Sequence, residues 1–275
     1  MLRARHKRST YPRLTPDRIP LPRHKIDPMS SNTPQPVSPP TSAGVPHLRK
    51  CYVDANTQLW EVFWTGSSSY PDFAELELHR VLLSDEMSAT WSRSKPLDFG
   101  ASAVIRLLAE DAFPVVKLAP NAEARQLLQH EFAVLRQLSG QPGIVKVDPE
   151  PLMDMEGIYG YRMEYLSKID FMNLGPLNSG VRRVTHALHR RGYCHGDLSP
   201  SNVMLDDYGE VVLIDLSFAG IIGNDVPPYM PRWAHSNKVF SEEVDESRLK
   251  RFFLGSDDAV QIDAIALGKN RDVAL

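Results

Sequence analysis

A short stretch in the second half of the chain carries side chains that could do chemistry together. Asp197 comes two residues after His195, and Asn202 stands just before a short apolar run. A turn and a second apolar run follow, and Asp215 ends that run, a pattern that predicts a β-hairpin. Because a hairpin returns to its starting edge, Asn202 and Asp215 should lie side by side, with Asp197 next to them. Oxygen-bearing groups gathered in this way suit a hard cation such as Mg²⁺.

The spacing of these residues resembles the catalytic core of the protein-kinase-like superfamily, in which an H-R-D-x-x-x-x-N loop precedes a metal-binding D-F-G. The resemblance implies that Asp197 accepts or orients the proton of the acceptor hydroxyl. It also implies that Asn202 and Asp215 hold Mg²⁺ ions that bridge the phosphates of ATP. Two departures stand out, because Gly196 replaces the arginine and Leu216-Ser217 replace Phe-Gly.

A helix in the first half of the chain is predicted to supply a partner for a buried lysine. A strand-like run that contains Lys117 precedes this helix, which Asn121 is suited to cap. Apolar residues recur along the helix at helical spacing: Leu128, Phe132, Leu135 and Leu138. Glu131 borders this stripe, where a carboxylate needs a partner, so we expect it to bind Lys117, with Glu123 as the alternative. In the kinase resemblance, Lys117 contacts the α- and β-phosphates of ATP and Glu131 lies on the regulatory helix.

Further nucleotide contacts are implied by the resemblance alone. They are Gly100, Ala101, Ser102 and Val104 in the phosphate lid, Lys117, and the hinge residues Glu164 and Leu166. Only Gly100 of the lid is a glycine, although small neighbours still permit a close approach to phosphate. Atypical kinases related to the RIO kinases are similar in this respect. Glu164 and Leu166 would offer backbone groups to adenine.

The chain is predicted to contain three regions. Residues 1–46 are basic and rich in proline and are interpreted as a disordered arm. The expected fold is α+β and two-lobed, with an antiparallel sheet and one helix in a small lobe at 47–164 and a mainly helical large lobe at 165–275. By the resemblance, Asp263 binds the backbone of the His195 turn. Few residues follow Asp263, so we expect the large lobe to be incomplete and the chain to be truncated.

Composition narrows the function classes. Net charge is −3 over 275 residues, and the basic residues concentrate in the arm, so the remainder is acidic and nucleic acid is not expected as its ligand. No apolar run is long enough to span a membrane. Cys51 and Cys194 form no disulfide framework, so an intracellular location, in cytoplasm or nucleus, is predicted. The oligomeric state is left open.

Three functions are compatible with these residues. The first is an ATP- and Mg²⁺-dependent phosphotransferase that acts on Ser/Thr hydroxyls of proteins. The second is a small-molecule kinase, because the Gly196 loop also resembles the loops of aminoglycoside phosphotransferases and choline kinases. The third is a pseudokinase or inactive fragment that acts as a binding module, which the sparse lid favours. An enzyme is favoured because five residues of the kinase-like site are retained together: Lys117, Glu131, Asp197, Asn202 and Asp215.

Overall fold

Short antiparallel strands and amphipathic helices make up the chain, described in a computed structural model for residues 34–38, 40–42, 48–66, 69–73, 76–100, 103–109, 111–235 and 238–253. The α-helices of this part are α1 (Asp85–Arg93), α2 (Ala122–Gln137), α3 (Asn178–Arg190) and α4 (Glu242–Phe253). The strands are β1 (Gln35–Pro36), β2 (Thr41–Ser42), β3 (Leu48–Ala55), β4 (Gln58–Thr65), β5 (Leu78–Arg80), β6 (Ser94–Phe99), β7 (Val104–Leu108), β8 (Val115–Leu118), β9 (Leu152–Asp154), β10 (Gly157–Met163), β11 (Ser167–Lys168), β12 (Tyr193–Cys194), β13 (Val203–Leu205), β14 (Val211–Leu213) and β15 (Gly220–Ile221). None of the described helices has the length and apolar character needed to cross a bilayer.

The small lobe is built on a five-stranded antiparallel sheet in the order β6-β7-β8-β10-β9. Ile105 lies opposite Lys117, and Arg106 lies opposite Val116. Because successive side chains alternate across a strand, Arg106 and Lys117 project from opposite faces of this sheet. α2 packs on the Lys117 face and begins at Asn121, whose side chain accepts a backbone hydrogen bond at 2.8 Å. The antiparallel sheet and the capped helix predicted for this lobe are confirmed, and α1 is a second helix where one was expected.

A second antiparallel sheet covers the Arg106 face of the small lobe. Its order is β1-β3-β4-β5, and β2 also pairs with β3. The β3–β4 hairpin turns at Asn56 and Thr57, whose φ values of 52° and 59° suit a two-residue type I′ turn. Side chains of this sheet, α1 and the small-lobe sheet share one core: Val37, Tyr52, Leu59, Met87, Trp91, Val104, Val116, Leu118 and Tyr159. We call β1–β5 together with α1 the extension.

The boundary of the predicted disordered arm needs correction. Residues 1–46 were assigned to it, whereas β1 and β2 lie within this range and pair with β3. Val37 is buried, and its N donates a hydrogen bond to O of Tyr52 at 2.8 Å, while N of Tyr52 donates to Oγ of Ser38 at 2.7 Å. Pairing of this kind uses backbone groups at a sheet edge, so the sequence needs no apolar periodicity to form it. Residues 1–33 lie outside the described part of the chain.

The described part of the large lobe combines α3, α4 and the β13–β14 hairpin. Val203 lies opposite Leu213 in this hairpin, while β11 pairs with β13 and β12 pairs with β15. α3 buries Val181, Val184, Thr185 and Leu188. α4 adds Leu249 and Phe253 to the same core. The hairpin was predicted and α4 was not, and the whole is the expected α+β arrangement of two lobes.

Candidate active site

The β13–β14 hairpin brings together the polar side chains of the sequence motif. N of Ile214 donates a hydrogen bond to O of Asn202 at 3.0 Å, so the two residues at the open end of the hairpin face each other. Nδ2 of Asn202 donates to O of Asp197 at 2.8 Å and to Oδ2 of Asp197 at 3.3 Å. Asp215 follows Ile214 with a φ of 58°, a conformation that is rare for residues other than glycine and that clusters at functional sites.

Lys117 joins the two lobes through a group of charges in which Lys117 and Glu131 are buried and Asp215 is one-third exposed. Its Nζ lies 2.7 and 3.0 Å from the carboxylate oxygens of Glu131 on α2, and 2.8 Å from Oδ1 of Asp215. The predicted pairing with Glu131 is confirmed, and the alternative, Glu123, is exposed in the first turn of α2. Burial lowers the pKa of Lys117, but the Asp215 and Glu131 carboxylates outweigh it and raise that pKa. Burial raises the pKa of Asp215, but Lys117 reverses this effect and holds it below its usual value.

The same charges fix the chain that follows Asp215. N of Leu216 donates to Oε1 of Glu131 at 3.0 Å. Oγ of Ser217 lies 2.9 Å from Oε2 of Glu131 and 2.8 Å from Oδ1 of Asp215, and its proton can be donated to either carboxylate. A shift of α2 would therefore break bonds to β8 and to this segment together. Ser217, which departs from the D-F-G pattern, adds a hydrogen bond that glycine could not make.

Asp245 on α4 anchors the loop that carries Asp197. Its side chain is fully buried and accepts hydrogen bonds from N of His195 at 2.7 Å and from N of Gly196 at 2.9 Å. The resemblance implies Asp263 for this contact, and among the described residues Asp245 accepts from both backbone donors. Asp263 itself lies outside the described residues.

α4 carries start and stop signals of a helix in its own sequence. N of Glu243 donates to Oγ of Ser241 at 3.2 Å, the first turn is acidic and the last turn is basic. Its buried apolar side chains are few, with Leu249 and Phe253 four residues apart. A weak apolar stripe on a strongly charged helix explains why periodicity alone did not reveal it.

A second residue of α4, Arg248, contacts Asp197 and was not predicted. Its Nη1 lies 2.5 Å from Oδ1 of Asp197, and the side chains are 19% and 21% exposed. Burial raises the pKa of Asp197, whereas Arg248 and His195 lower it, and the pKa remains above its usual value. No local signal marks Arg248, because its role depends on where α4 packs.

Close packing explains why glycine stands at position 196. The φ of Gly196 is +76°, and a Cβ at this position would lie 2.2 Å from O of Phe218 and 2.7 Å from Cε1 of His235. His235 is buried, and its Nε2 lies 2.8 Å from the same carbonyl oxygen. The imidazole thus fills the space beside the loop and binds the segment after Asp215. An arginine at position 196 would displace both.

Two oxygen atoms of the site remain available to a cation. Asn202 uses Nδ2 and Asp215 uses Oδ1 for hydrogen bonds, so Oδ1 of Asn202 and Oδ2 of Asp215 have no hydrogen-bond partner within the described residues. Mg²⁺ takes such oxygens together with water and substrate phosphates. The described residues contain no group of three or more His, Cys, Asp or Glu side chains suited to a metal. The residues present therefore fit Mg²⁺ that is shared with a phosphate-bearing substrate.

Comparison with known proteins finds the RIO domain over residues 105–223, which is fewer than half of the residues. The RIO-type serine/threonine-protein kinase Rio1 of Haloferax volcanii is 35% identical over 103 residues, which cover 34% of this chain and 34% of the relative. The corresponding Rio2 of Methanocaldococcus jannaschii is 31% identical over 117 residues, 39% of this chain and 40% of the relative. Serine/threonine-protein kinase 16 of Mus musculus is 49% identical over 41 residues, 15% of this chain and 13% of the relative. The chain is an atypical member of the protein-kinase-like superfamily.

The family match coincides with the core of this kinase-like site. It includes the predicted catalytic and metal-binding residues: Lys117, Glu131, Asp197, Asn202 and Asp215. The extension and α4 lie outside the matched residues, and α4 holds Asp245 and Arg248. The chain spans two fifths or less of the length of these three relatives.

The kinase-like lid is only partly described. N of Gly100 donates to O of Ala103 at 2.9 Å, which closes a tight turn, and the predicted contacts Ala101 and Ser102 lie outside the described residues. Val104 was also predicted to contact the nucleotide, and the position of its side chain contradicts this prediction. Its side chain is fully buried in the core shared with the extension, on the sheet face opposite to Lys117. Strand alternation puts the next residue, Ile105, on the Lys117 face instead.

The kinase-like hinge leaves backbone groups unpaired. N of Glu164 donates to O of Lys146 at 3.0 Å, and its carboxylate accepts from N and Nζ of Lys146 at 2.8 and 3.0 Å. Within the described residues, O of Glu164 and N of Leu166 have no hydrogen-bond partner. One acceptor and one donor at this edge are what an adenine ring needs.

Proposed function

We propose that this chain binds ATP with Mg²⁺ and transfers the terminal phosphoryl group to a hydroxyl group. The observation that carries the proposal is the group of buried Lys117, buried Glu131 and one-third exposed Asp215, which holds one cation against two carboxylates. A divalent cation on the unpaired oxygens of Asn202 and Asp215 would correct this imbalance and neutralise phosphate charge. Phosphoryl transfer is catalysed mainly by such positioning and charge neutralisation.

Asp197 is the residue that we assign to the acceptor hydroxyl. Its hydrogen bond to Asn202 puts its carboxylate beside the proposed metal site. A carboxylate in this position would orient the hydroxyl and take its proton, a role that contributes about 10²–10⁴-fold to the rate. Asp197→Asn should abolish transfer and leave nucleotide binding largely intact.

The acceptor that we propose is a Ser or Thr hydroxyl of a protein. The relatives that match this chain are named serine/threonine-protein kinases, which supports this choice. The glycine at position 196 favours a second candidate, a small hydroxyl compound such as an amino-alcohol or an aminoglycoside. Transfer of labelled phosphate to a protein mixture or to these compounds separates the two.

Two measurements on one preparation test the proposal. A thermal-shift titration with ATP, with and without Mg²⁺, should give a metal-dependent rise in the melting temperature. Labelled ATP should then yield labelled acceptor with the wild-type chain and none with Asp197→Asn. A metal-dependent shift without transfer to any acceptor would instead identify a pseudokinase. The absence of both a thermal shift and phosphoryl transfer would overturn the proposal.

We propose further that activity does not depend on phosphorylation of the segment after Asp215. Gly196 offers no cation to a phosphorylated residue, and the His235 ring already binds the backbone of this segment at Phe218. Treatment of the protein with a phosphatase should therefore leave turnover unchanged. Loss of most of the turnover would refute this.

An intracellular location, in cytoplasm or nucleus, remains our proposal. Cys51 and Cys194 are both free and buried, and burial raises the pKa of each thiol to about 12. Such thiols are unreactive and need no oxidising compartment. Fluorescence of a tagged full chain in cells would locate the protein.

A further inference from the structure

One face of α4 holds three consecutive residues of the loop that carries Asp197. Asp245 accepts hydrogen bonds from the backbone of His195 and Gly196, and Arg248 contacts the Asp197 side chain. Residues three apart on a helix lie on the same face, so a single turn of α4 presents both groups. The helix therefore fixes the path of the loop and the direction of its carboxylate at once.

Arg248 supplies the positive charge that the loop itself lacks. Residues 195–202 contain no Lys or Arg, and position 199, two residues after Asp197, is a serine. Among the described residues, Arg248 is the only cationic side chain in contact with the Asp197 carboxylate. Asn202 is the other side chain bonded to it, at 3.3 Å. Each carboxylate oxygen thus has one partner, a charged one on Oδ1 and an amide on Oδ2.

An aromatic side chain of the segment after Asp215, the 61% exposed Trp233, lies beside Arg248. The guanidinium carbon of Arg248 lies 6.0 Å from the ring centroid of Trp233, within the range of a cation–π interaction. Trp233 in turn packs edge-on against Phe218, with the ring centroids 5.0 Å apart. Arg248 is thereby held from two sides, and its orientation relative to Asp197 is restricted before any substrate binds.

We propose that Arg248 is a positioning residue for phosphoryl transfer, which acts through Asp197 by holding its carboxylate in the direction of the acceptor hydroxyl. This inference rests on the proposed function of the same site. Arg248 lies on α4, outside the residues matched by the RIO domain. It replaces, from a distant helix, a cation that the loop does not provide.

Steady-state kinetics of two matched variants tests the inference. Arg248→Ala should lower kcat by about 10²-fold, the typical cost of a catalytic group displaced by about 1 Å, and should leave the KM for ATP within about twofold of wild type. Arg251→Ala is the control, because Arg251 is an exposed arginine of the same helix that lies over the Phe252 ring. It should behave as wild type. Addition of guanidinium or methylguanidinium ions should restore part of the lost kcat to Arg248→Ala and should not affect Arg251→Ala.

Each other outcome has a definite meaning. Equal kcat values for the two alanine variants would overturn the inference alone, and a higher kcat for Arg248→Ala would show that Arg248 blocks Asp197. A raised KM for ATP with unchanged kcat would assign Arg248 to nucleotide binding and would also overturn it. If Arg248→Ala does not fold, Arg248→Lys and Arg248→Gln decide, because the lysine variant should retain more kcat than the neutral one. A wild-type chain without transfer activity would overturn the proposed function and this inference with it.

Discussion

Two buried cations lie side by side on the small-lobe sheet and face in opposite directions. Arg106 on β7 points into the extension, and Lys117 on β8 points toward α2 and the large lobe. Their side chains are 2% and 7% exposed, so burial alone does not distinguish them. The charged and polar groups that surround each cation do distinguish Arg106 from Lys117.

Arg106 is enclosed by a complete set of partners. Its guanidinium contacts Asp54 at 2.5 Å, Oγ and O of Ser94 at 2.7 Å each and O of Trp91 at 3.1 Å, and it stacks on the Trp91 ring at 3.9 Å. One cation meets one carboxylate, and the pair is neutral. Such an arrangement joins the extension to the sheet and leaves no net charge for a ligand to balance.

Lys117 belongs to a group that is electrically incomplete. One ammonium faces two carboxylates, and Oδ2 of Asp215 has no partner within the described residues. The Asp215 side chain is 33% exposed, and a net negative charge in such a partly buried site favours the binding of a cation that balances it. The comparison of Arg106 with Lys117 indicates that an unbalanced charge, rather than the burial of a charged side chain, marks a site that binds a ligand.

The largest expected effect comes from removing the unbalanced charge. Asp215→Asn should lower phosphoryl transfer by at least about 10³-fold, because it removes both a metal ligand and a phosphate-neutralising charge. The melting temperature should stay within about 2 °C of wild type, because the remaining pair of Lys117 and Glu131 is neutral. Transfer assays and calorimetry of the same preparation check both halves.

The nucleotide supplies a control for this variant. Wild-type protein should show a thermal shift with ATP that grows when Mg²⁺ is added, and Asp215→Asn should lose the Mg²⁺-dependent part. A large loss of stability in the absence of ligand would mean that Asp215 completes a structural group after all. The contrast with Arg106 would then fail.

The sequence predicted the parts of this site that are set by local pattern. The pairing of Lys117 with Glu131 followed from a strand, a capped helix and one carboxylate at the edge of an apolar stripe. The hairpin that joins Asn202 to Asp215 followed from two apolar runs and a turn. In each case the partners are brought together by one or two adjacent elements.

The remaining parts depend on packing between distant elements. Asp245 meets the backbone of His195 fifty residues away, and nothing near Asp245 in the sequence marks that contact. Val104 was misassigned because strand alternation settles which face a residue occupies only when the register with β8 is known. The extension was not predicted as a packed unit, since its core forms against the small-lobe sheet and not within its own short strands.

A second prediction addresses the neutral pair of Arg106 and Asp54. Asp54→Asn leaves Arg106 buried without a counter-charge and should lower the free energy of unfolding by about 3 kcal/mol, with kcat of the folded protein within about twofold of wild type. Glu61→Gln on the adjacent β4 is the matched control. Glu61 pairs with Lys50 at 2.9 Å, with side chains 23% and 32% exposed, and should contribute less than about 1 kcal/mol. Urea denaturation of the three proteins measures the difference, and a large fall in kcat for Asp54→Asn would contradict the separation of the two faces.

The smallest expected effect tests whether the two faces are fully independent. Tyr52 of the extension accepts a hydrogen bond on its Oη from Nδ2 of Asn121 at 3.0 Å, and Asn121 caps the helix that carries Glu131. Tyr52→Phe should cost about 1 kcal/mol of stability, the usual value of one hydrogen bond. Because α2 would be held less firmly at its first turn, we expect kcat/KM to fall by about two- to fivefold.

Tyr208→Phe is the control for this last variant, because Tyr208 is 91% exposed in the turn between β13 and β14. It should leave both stability and kcat/KM unchanged. If Tyr52→Phe loses stability and keeps full kcat/KM, the extension is only a structural cover for the Arg106 face. If kcat/KM falls as expected, the extension helps to hold Glu131 against Lys117. The Arg106 face of the sheet then contributes to the charge arrangement on the Lys117 face.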